Sequence, residues 1–558
     1  MNYLASTGGL PWLTILIFVP LVGALLAALG PEGPNGRLTK WGSFLLSLAP
    51  LGITIYLWAT YQGQTTDGGQ QQVYQFGERL PWISVLGAEY KLGLDGLSLP
   101  LVILTTLMTP IAILASFNQQ LRPRFFFAMI LMMETAMLGV FLSLDFLLFF
   151  IFWEVSLIPG YYLISTWGRE QRRYAAFKFF VYTMAGSIGM LLAFELLYLA
   201  TAAAGRGTFD LVELARLSQG LPVEIGNGVQ FTGSLQTIVF DYLSQLGVVG
   251  TAGGSPFFWM SVAFWMVFVA LAVKLAVWPF HTWLPDAYSE APTAASMLIA
   301  GVLTKMGAFA MLRLMLPVFP EQMRAFAPLL GFLAFASIIL GAWVAYNYRN
   351  GDAKRLISYL SINHMGYVML AIAAAGAAQG AGAAEGDIQA RASAINGAVM
   401  QMFAHGLSTA ALFYLVGILA ERTGTYSLGD FGGLLAVAPA FAALMGVALF
   451  GNLGLPGMAG FVGEFFIFSG SWSTLPLLTI FSMLGLVISA LALLVMYQRV
   501  FLGPTNERWR GLPDLTRREW SVLVPLLGLL IFFGVYPMPL MSLANQTATA
   551  VATYFSGG

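Results

Sequence analysis

VKLAVWPFHTWLPDAYSEAPTAASMLIAGVLTKMGAF, residues 273–309, decides how the chain is read. Two lysines, Lys274 and Lys305, stand inside apolar runs, with Pro279, His281 and Pro285 between them. A lysine at the centre of a membrane helix costs about 2.5–3.5 kcal/mol on insertion scales, so selection would replace it with leucine unless it had a task. The rest of the chain agrees with a membrane setting. Its 558 residues are 58% hydrophobic and only 9% charged, which are not the proportions of soluble domains. The formal net charge is zero, so no basic surface exists to hold nucleic acid. Cysteine is absent, which excludes disulfides, thiol nucleophiles and cysteine-held zinc or iron–sulfur clusters.

Hydropathy predicts an all-α polytopic membrane protein with about fourteen transmembrane helices. They are expected near 11–30, 41–60, 96–117, 124–144, 146–167, 174–200, 257–279, 293–316, 325–347, 353–376, 394–420, 437–470, 477–501 and 519–541. No basic n-region precedes the first apolar run and no small-residue cleavage motif follows it, so that run reads as a helix rather than a signal peptide. Three connections are long, 61–95, 201–256 and 377–393, and alternation puts them on one side. Sixteen Lys and Arg fall in loops on the other side, from Arg37 to Arg518. Seven fall with the long loops: Arg79, Lys91, Arg206, Arg216, Arg313, Arg324 and Arg391. The positive-inside rule then leaves both termini outside the cytoplasm.

Lys178, Lys274 and Lys305 are assigned to no loop, and Glu134, Glu154, Glu195 and Glu464 add carboxylates within apolar segments. Seven such groups, unpaired and central, would cost about 20 kcal/mol to insert. The alternative to a transport role is that each snorkels or pairs between helices. Lys178, close behind Arg172 and Arg173, and Glu195, near a helix end, fit that alternative best. Histidines His281, His364 and His405 also lie in or beside apolar segments, and a neutral imidazole in the membrane is a natural proton shuttle. Two histidines at matching depth, His364 and His405, could instead ligate haem in a membrane cytochrome, but that leaves the lysines unexplained.

Pro279 and Pro285 are expected to interrupt the seventh segment, and Gly451, Gly454, Pro456, Gly457 and Gly460 the twelfth, with Lys274 beside the first break and Glu464 beside the second. Paired interruptions in two halves point to an ion site built from inverted repeats. The predicted division is 1–120 for helices 1–3, 121–320 and 321–505 for two inverted five-helix repeats with broken helices 7 and 12, and 506–558 for the last helix. In that scheme Glu154 corresponds to His364, Lys178 to His405 and Lys274 to Glu464. No lysine follows a glycine, so no Walker A motif exists. Gly380 and Gly382, the nearest approach to a dinucleotide fingerprint, read as linker.

LGLDGLSLP at 92, FIFWEVSLIPGYYLISTWG at 150, the opening stretch at 273, DAKRLISYLSINHMGYV at 352, QMFAHGLSTAALF at 401 and LPGMAGFVGEF at 455 carry a resemblance over residues 10–540. The chain resembles the antiporter-like subunit M (chain 4) of respiratory complex I, NADH:quinone oxidoreductase. The resemblance implies a proton-translocating membrane-arm subunit of the bacterial inner membrane, driven by quinone reduction elsewhere in the complex. It implies Glu154 and Lys274 as the input pair, Lys305 as the connecting lysine, Glu464 as the output residue, and the three histidines on the polar axis. NADH, FMN, iron–sulfur clusters and quinone would belong to partner subunits. The partners would be neighbouring antiporter-like subunits, a lateral helix and lipid. A multi-subunit cation/proton antiporter, a ferredoxin-fed photosynthetic complex in a thylakoid membrane or a membrane-bound hydrogenase would use much the same chain.

Overall fold

The computed structural model describes residues 9–31, 36–63, 65–67, 70–225, 229–231, 233–377 and 385–553. Gly380 and Gly382 lie outside them. The helices run α1 (Trp12–Leu29), α2 (Arg37–Thr60), α3 (Ser98–Ala115), α4 (Pro123–Leu142), α5 (Phe146–Val155), α6 (Leu157–Trp167) and α7 (Arg172–Ala203). After them come α8 (Leu211–Ser218), α9 (Leu235–Gln245), α10 (Val248–Ala252), α11 (Pro256–Leu275) and α12 (Trp283–Glu290). One long span, Thr293–Val318, contains α13 (Thr293–Leu298), α14 (Lys305–Ala310) and α15 (Leu316–Val318). The remainder are α16 (Pro320–Asn347), α17 (Ala353–Gly376), α18 (Glu385–Thr423), α19 (Pro439–Asn452), α20 (Ala459–Trp472), α21 (Pro476–Phe501), α22 (Arg517–Val535) and α23 (Met538–Thr553).

Thirteen stretches among the described residues are long and apolar enough to cross a membrane, with α5 and α6 counted as one. The molecule is a large all-α polytopic membrane protein. The Thr293–Val318 span, α17 and α18 are almost wholly buried and form its centre. Outward helices such as α1, α7 and α21 expose Leu, Ile and Phe, as lipid-facing surfaces do. Apolar residues all round each helix, with no polar face, are what hydrocarbon demands.

Local chemistry explains where helices stop. At the end of α11, Ala276 takes a left-handed conformation (φ 61) and Pro279 follows, so the chain turns before α12 begins at Trp283. Pro285 breaks nothing, contrary to expectation: it is the third residue of α12, where its missing N–H has no intrahelical partner to lose. Between α19 and α20, Gly454 (φ 67) and Gly457 (φ 95) supply conformations that L side chains rarely adopt. Ser156 separates α5 from α6, and Pro159 cannot donate to the carbonyl of Val155, which slackens the ladder there. A further departure lies in the Thr293–Val318 span, where π-helical turns at Ile299–Leu303 and Met311–Met315 each widen the helix.

The long loops carry structure of their own. Within 61–95, Gln75–Ile83 and Ala88–Leu94 pair as an antiparallel hairpin with an Arg79–Glu89 ion pair of 2.7 Å. The 201–256 segment holds α8, α9 and α10. Beyond the last expected helix, α22 ends at Val535 and α23 is a separate helix. Five basic residues read as loop charges prove buried: Lys40 (9% exposed), Lys91 (4%), Arg313 (7%), Lys354 (0%) and Arg391 (0%). Arg313 belongs to a membrane span and finds Asp95 at 2.7 Å and the Tyr74 hydroxyl at 2.8 Å. Lys91 pairs with Asp210.

Asp145 caps α5, accepting from the N–H groups of Leu147 and Leu148, and also accepts from Glu89. Burial nevertheless pushes its carboxyl up to about 6, helped by the neighbouring Asp210 carboxylate, and those three backbone donors only partly offset the rise. A carboxyl raised on folding favours the fold more as pH falls through 6 toward its unfolded value near 4. Asp145→Asn keeps a good cap and removes the titration. The wild-type chain should therefore gain about 1 kcal/mol relative to Asp145→Asn between pH 7.5 and pH 5. Thermal unfolding of both in detergent at the two pH values measures it, and parallel profiles would refute it.

Candidate functional site

Lys274, in the last turn of α11, is fully buried and donates to Ser156 Oγ at 2.9 Å. Its amine also stands 5.0 Å over the ring of Trp153, a favourable cation–π placement. Ser156 passes its own hydrogen to the carbonyl of Trp153, and Trp153 donates from its indole to Ser187. Glu154 is close enough to act electrostatically on Lys274, yet the partner within hydrogen-bond reach is Ser156. One Glu154 oxygen, Oε1, has no hydrogen-bond partner. A buried amine tied to a hydroxyl and a carboxylate one step away make two alternative resting places for a proton.

Lys305 is likewise fully buried and sits two residues after the end of the π-helical turn Ile299–Leu303. Its amine donates to the carbonyl of Ala300 and lies 2.7 Å from His405 Nδ1. His405 in turn has its ring 5.3 Å from that of His364. His364 Nε2 donates to Asn452 Oδ1 at 3.0 Å, and its Nδ1 accepts from Gln401 Nε2 at 3.1 Å. Glu464 Oε1 waits 3.5 Å from the same Nδ1, and Gln401 also donates to it at 3.4 Å. A proton arriving on Nδ1 therefore meets a carboxylate that can replace the amide as partner. Lys305, His405, His364 and Glu464 thus form one contiguous row through α14, α18, α17 and α20.

Asn452 closes α19 and Glu464 belongs to α20, so the turn between those helices meets the row. A side chain at Gly454 would place its Cβ 2.1 Å from Glu464 Oε2, so the carboxylate would have to shift, and the φ of 67 favours glycine there in any case.

The remaining expected residues stand apart from this row. His281 lines a cavity of about 250 Å³ with Trp278, Ser337, Tyr359 and Ile362, and its Nδ1 has no partner. Lys178 pairs with Asp286 on α12 at 2.8 Å, as the ion-pair alternative has it. Glu134, on α4, is fully buried with neither carboxyl oxygen hydrogen-bonded. Glu195, on α7, is half-buried. Both ring nitrogens of His364 are engaged by side chains, as is His405 Nδ1, whereas His405 Nε2 has no hydrogen-bond partner. Among the described residues there is no group of three His, Cys, Asp or Glu suited to a metal ion.

Sequence reasoning missed Ser156, Gln401 and Asn452, polar but uncharged partners that hydropathy does not single out. It also missed Lys354, whose amine donates to Ala291 O at 2.6 Å and Ser296 Oγ at 3.2 Å. Its signal was present: Asp352, two residues earlier, is the helix cap, which draws Lys354 into the first turn of α17.

Buried amines, imidazoles and a carboxylate in contact across interrupted membrane helices define an ion-translocating type of membrane protein. The family model described as NADH:quinone oxidoreductase/Mrp antiporter, TM, matches residues 143–491, and the chain belongs to that family. It is 36% identical to NAD(P)H-quinone oxidoreductase chain 4 1 of Synechococcus elongatus, over 97% of this chain and 91% of the relative. It is 34% identical to NADH-quinone oxidoreductase subunit M of Mycobacterium tuberculosis (97% and 94%) and 32% to F(420)H(2) dehydrogenase subunit M of Methanosarcina mazei (98% and 99%). Among solved structures, a chain of respiratory complex I from Thermus thermophilus superposes with TM-score 0.79 at 28% identity, covering 98% of this chain and all of that one. The fold also matches a chain of the Mrp complex from Dietzia sp. (TM-score 0.72, 20% identity, 96% and 52%).

Gly454→Ala should destabilise the protein both by left-handed strain, about 1–2 kcal/mol, and by the clash with Glu464. In a Glu464→Ala background only the backbone part should remain. Thermal midpoints of the four corners of that cycle check it, and strict additivity would show that the carboxylate and the turn do not meet.

Proposed function

We propose that the chain is the proton-translocating antiporter-like subunit M of a bacterial NADH:quinone oxidoreductase. The observation that carries this is the contiguous row Lys305, His405, His364 and Glu464 at the buried centre of the bundle. In this reading Glu154 and Lys274 receive a proton, Lys305 relays it, and Glu464 releases it. His281 lies on the approach to Lys274, while Lys178, paired with Asp286, and Glu134, buried without a hydrogen-bond partner, are titratable groups beside the route. Glu464 favours subunit M, because related antiporter-like subunits carry lysine at the output position. The turns after Leu275 and after Asn452 are the breaks of helices 7 and 12 in two inverted five-helix units, and α19 with α20 completes a fourteenth span. The protein spans the bacterial inner membrane with both termini outside the cytoplasm. Burial removes Lys91, Arg313 and Arg391 from the outer count and Lys40 and Lys354 from the inner one, which leaves the basic excess on the inner side.

The geometry of the row supports proton transfer along it. A protonated Lys274 is stabilised by Glu154 and by the face of Trp153, and a charge moved toward Lys305 leaves Ser156 holding a neutral amine. Lys305 and His405 share one short N···N contact, so a proton there has two bases to choose from. At His364, exchange of Gln401 for Glu464 delivers the charge to the output carboxylate. NADH, FMN, iron–sulfur clusters and quinone belong to partner subunits, and the energy enters through neighbouring membrane-arm subunits and a lateral helix. Only charge pairs with two arrangements can receive it, since work is transmitted by a state-dependent interaction energy.

Lys274→Ala should abolish proton transfer through this subunit. NADH-driven proton uptake in inverted vesicles, measured beside quinone reduction, tests it, and normal pumping at normal turnover would end the reading. Glu464→Lys should retain part of the pumping if the output position needs only a titratable group. A loss equal to that of Glu464→Ala would mean that the sign of the charge matters. The fold shared with the Mrp chain keeps a cation/proton antiporter subunit as the second reading, and robust sodium/proton exchange by the reconstituted chain would put it first.

A further inference from the structure

Asn452, the last residue of α19, touches the row of buried titratable groups without belonging to it. It is buried and carries no charge. Its Oδ1 lies 3.0 Å from His364 Nε2, and its Nδ2 donates to Ser408 Oγ at 3.2 Å and to Thr409 Oγ1 at 3.5 Å, both on α18. The amide has only one way round. Ser408 Oγ gives its hydrogen to the carbonyl of His405, which can only accept, so it offers Asn452 a lone pair and calls for the NH2 group on that side. The carbonyl oxygen of Asn452 is left facing His364, and an acceptor there selects a ring hydrogen on Nε2.

A second amide addresses the other ring nitrogen, and it is oriented independently. Gln401 Nε2 lies 3.1 Å from His364 Nδ1 and 3.4 Å from Glu464 Oε1. An ionised carboxylate only accepts, so the NH2 group of Gln401 faces it, and the same group donates to Nδ1. Both amides therefore select, for the neutral ring, a hydrogen on Nε2 and a lone pair on Nδ1. Glu464 pulls the other way. Its Oε1 is 3.5 Å from Nδ1, and a hydrogen on that nitrogen would make the stronger, charge-assisted kind of bond to it. Asn452 is the acceptor that holds the hydrogen on the far side of the ring against that pull. His405 has no such partner: its Nδ1 meets Lys305, and its Nε2 is buried without a hydrogen bond.

We propose that Asn452 is a positioning residue of the proton route, keeping the resting hydrogen of His364 on Nε2 so that the transported proton is taken up and given up at Nδ1 alone. When a proton binds the Nδ1 lone pair, the Gln401 N–H no longer has an acceptor there, and the new N–H bond turns to Glu464 Oε1. That bond then breaks, an O–H bond forms on the carboxylate, and the ring is neutral again with its Nε2 hydrogen unexchanged. The opposite tautomer stops the route. Its Nδ1 is already occupied by a hydrogen, and its Nε2 lone pair faces an amide, which is no proton carrier near neutral pH. The turn between α19 and α20 serves this directly, because it ends α19 at the residue that has to face His364. The consequence for transport rests on the proton-channel reading, whereas the tautomer rests on the hydrogen bonds alone.

The chain has three histidines, so the full chain with isotope-labelled histidine, reconstituted in lipid, gives three sets of ring-nitrogen resonances. His364→Gln identifies those of His364 by their loss. At alkaline pH, where the ring is neutral, the two nitrogen shifts tell which atom bears the hydrogen. The wild type should show it on Nε2, and a hydrogen on Nδ1 overturns the proposal before any variant is made. Asn452→Leu, close in size and unable to accept, should let Glu464 draw the hydrogen to Nδ1. In the intact complex in inverted vesicles it should lower the protons pumped per electron as far as Glu464→Ala does. A wild-type tautomer in Asn452→Leu overturns the proposal, and so does a changed tautomer with an unchanged proton-to-electron ratio. If Asn452→Leu does not assemble, Ser408→Ala combined with Thr409→Val carries the same test. It leaves Asn452 in place but frees its amide to turn, and the same two outcomes decide. Lys274→Ala run in parallel separates the two ideas: normal pumping there defeats the proton-channel reading, while the nitrogen shifts still decide whether Asn452 sets the tautomer of His364.

Discussion

An amine sealed in hydrocarbon must be neutral or must find a partner, and in this protein the amine of Lys305 finds one in His405. The rest of the bundle is arranged around that necessity. Three central helices surrender most of their surface to burial so that the Lys305 region is dry, and dryness is what makes each neighbouring charge felt. Ion pairs that would be negligible in water become the means by which one site senses another.

The interruptions in the helices serve the same constraint. A continuous helix consumes every backbone hydrogen bond internally and offers nothing to a passing proton. Turns after Leu275 and after Asn452 place Lys274 and Glu464 beside loosened backbone, and Gly454 gives the Glu464 carboxylate room against the chain. Glycine and proline thereby act as chemical residues, through the space and the missing donors they leave.

Much of this was legible in the sequence, and the unread part has a physical pattern. Lys274, Lys305 and Glu464 announce themselves because a charge in an apolar run is costly and hydropathy registers cost. Arg313 and Arg391 escaped because they lie near the ends of apolar runs, where a window cannot distinguish a loop from a last helical turn. Ser156, Gln401 and Asn452 escaped because a neutral polar side chain costs little and becomes informative only when a neighbour on another helix is known. The hairpin at Gln75–Ile83 escaped since the search was for 20-residue helices. Pro285 was read as a break because a proline is recognised by type, whereas its effect depends on its place within the helix. The resemblance implies all three histidines on one polar axis; in the fold His364 and His405 adjoin, while His281 lines a cavity of its own and Lys178 pairs with Asp286.

The π-helical turn at Ile299–Leu303 has a consequence for how this chain can evolve. A wide turn contains one residue more than the α-helix it interrupts, and every residue beyond it is rotated by that extra step. Deleting a single residue from the turn would return the span to regular pitch and swing the Lys305 side chain by about 100° around the axis, away from His405, with no change in composition or hydropathy. Insertions and deletions in this stretch are thus filtered by angular phase, a constraint far sharper than the apolarity that lets a membrane helix exchange leucine for valine.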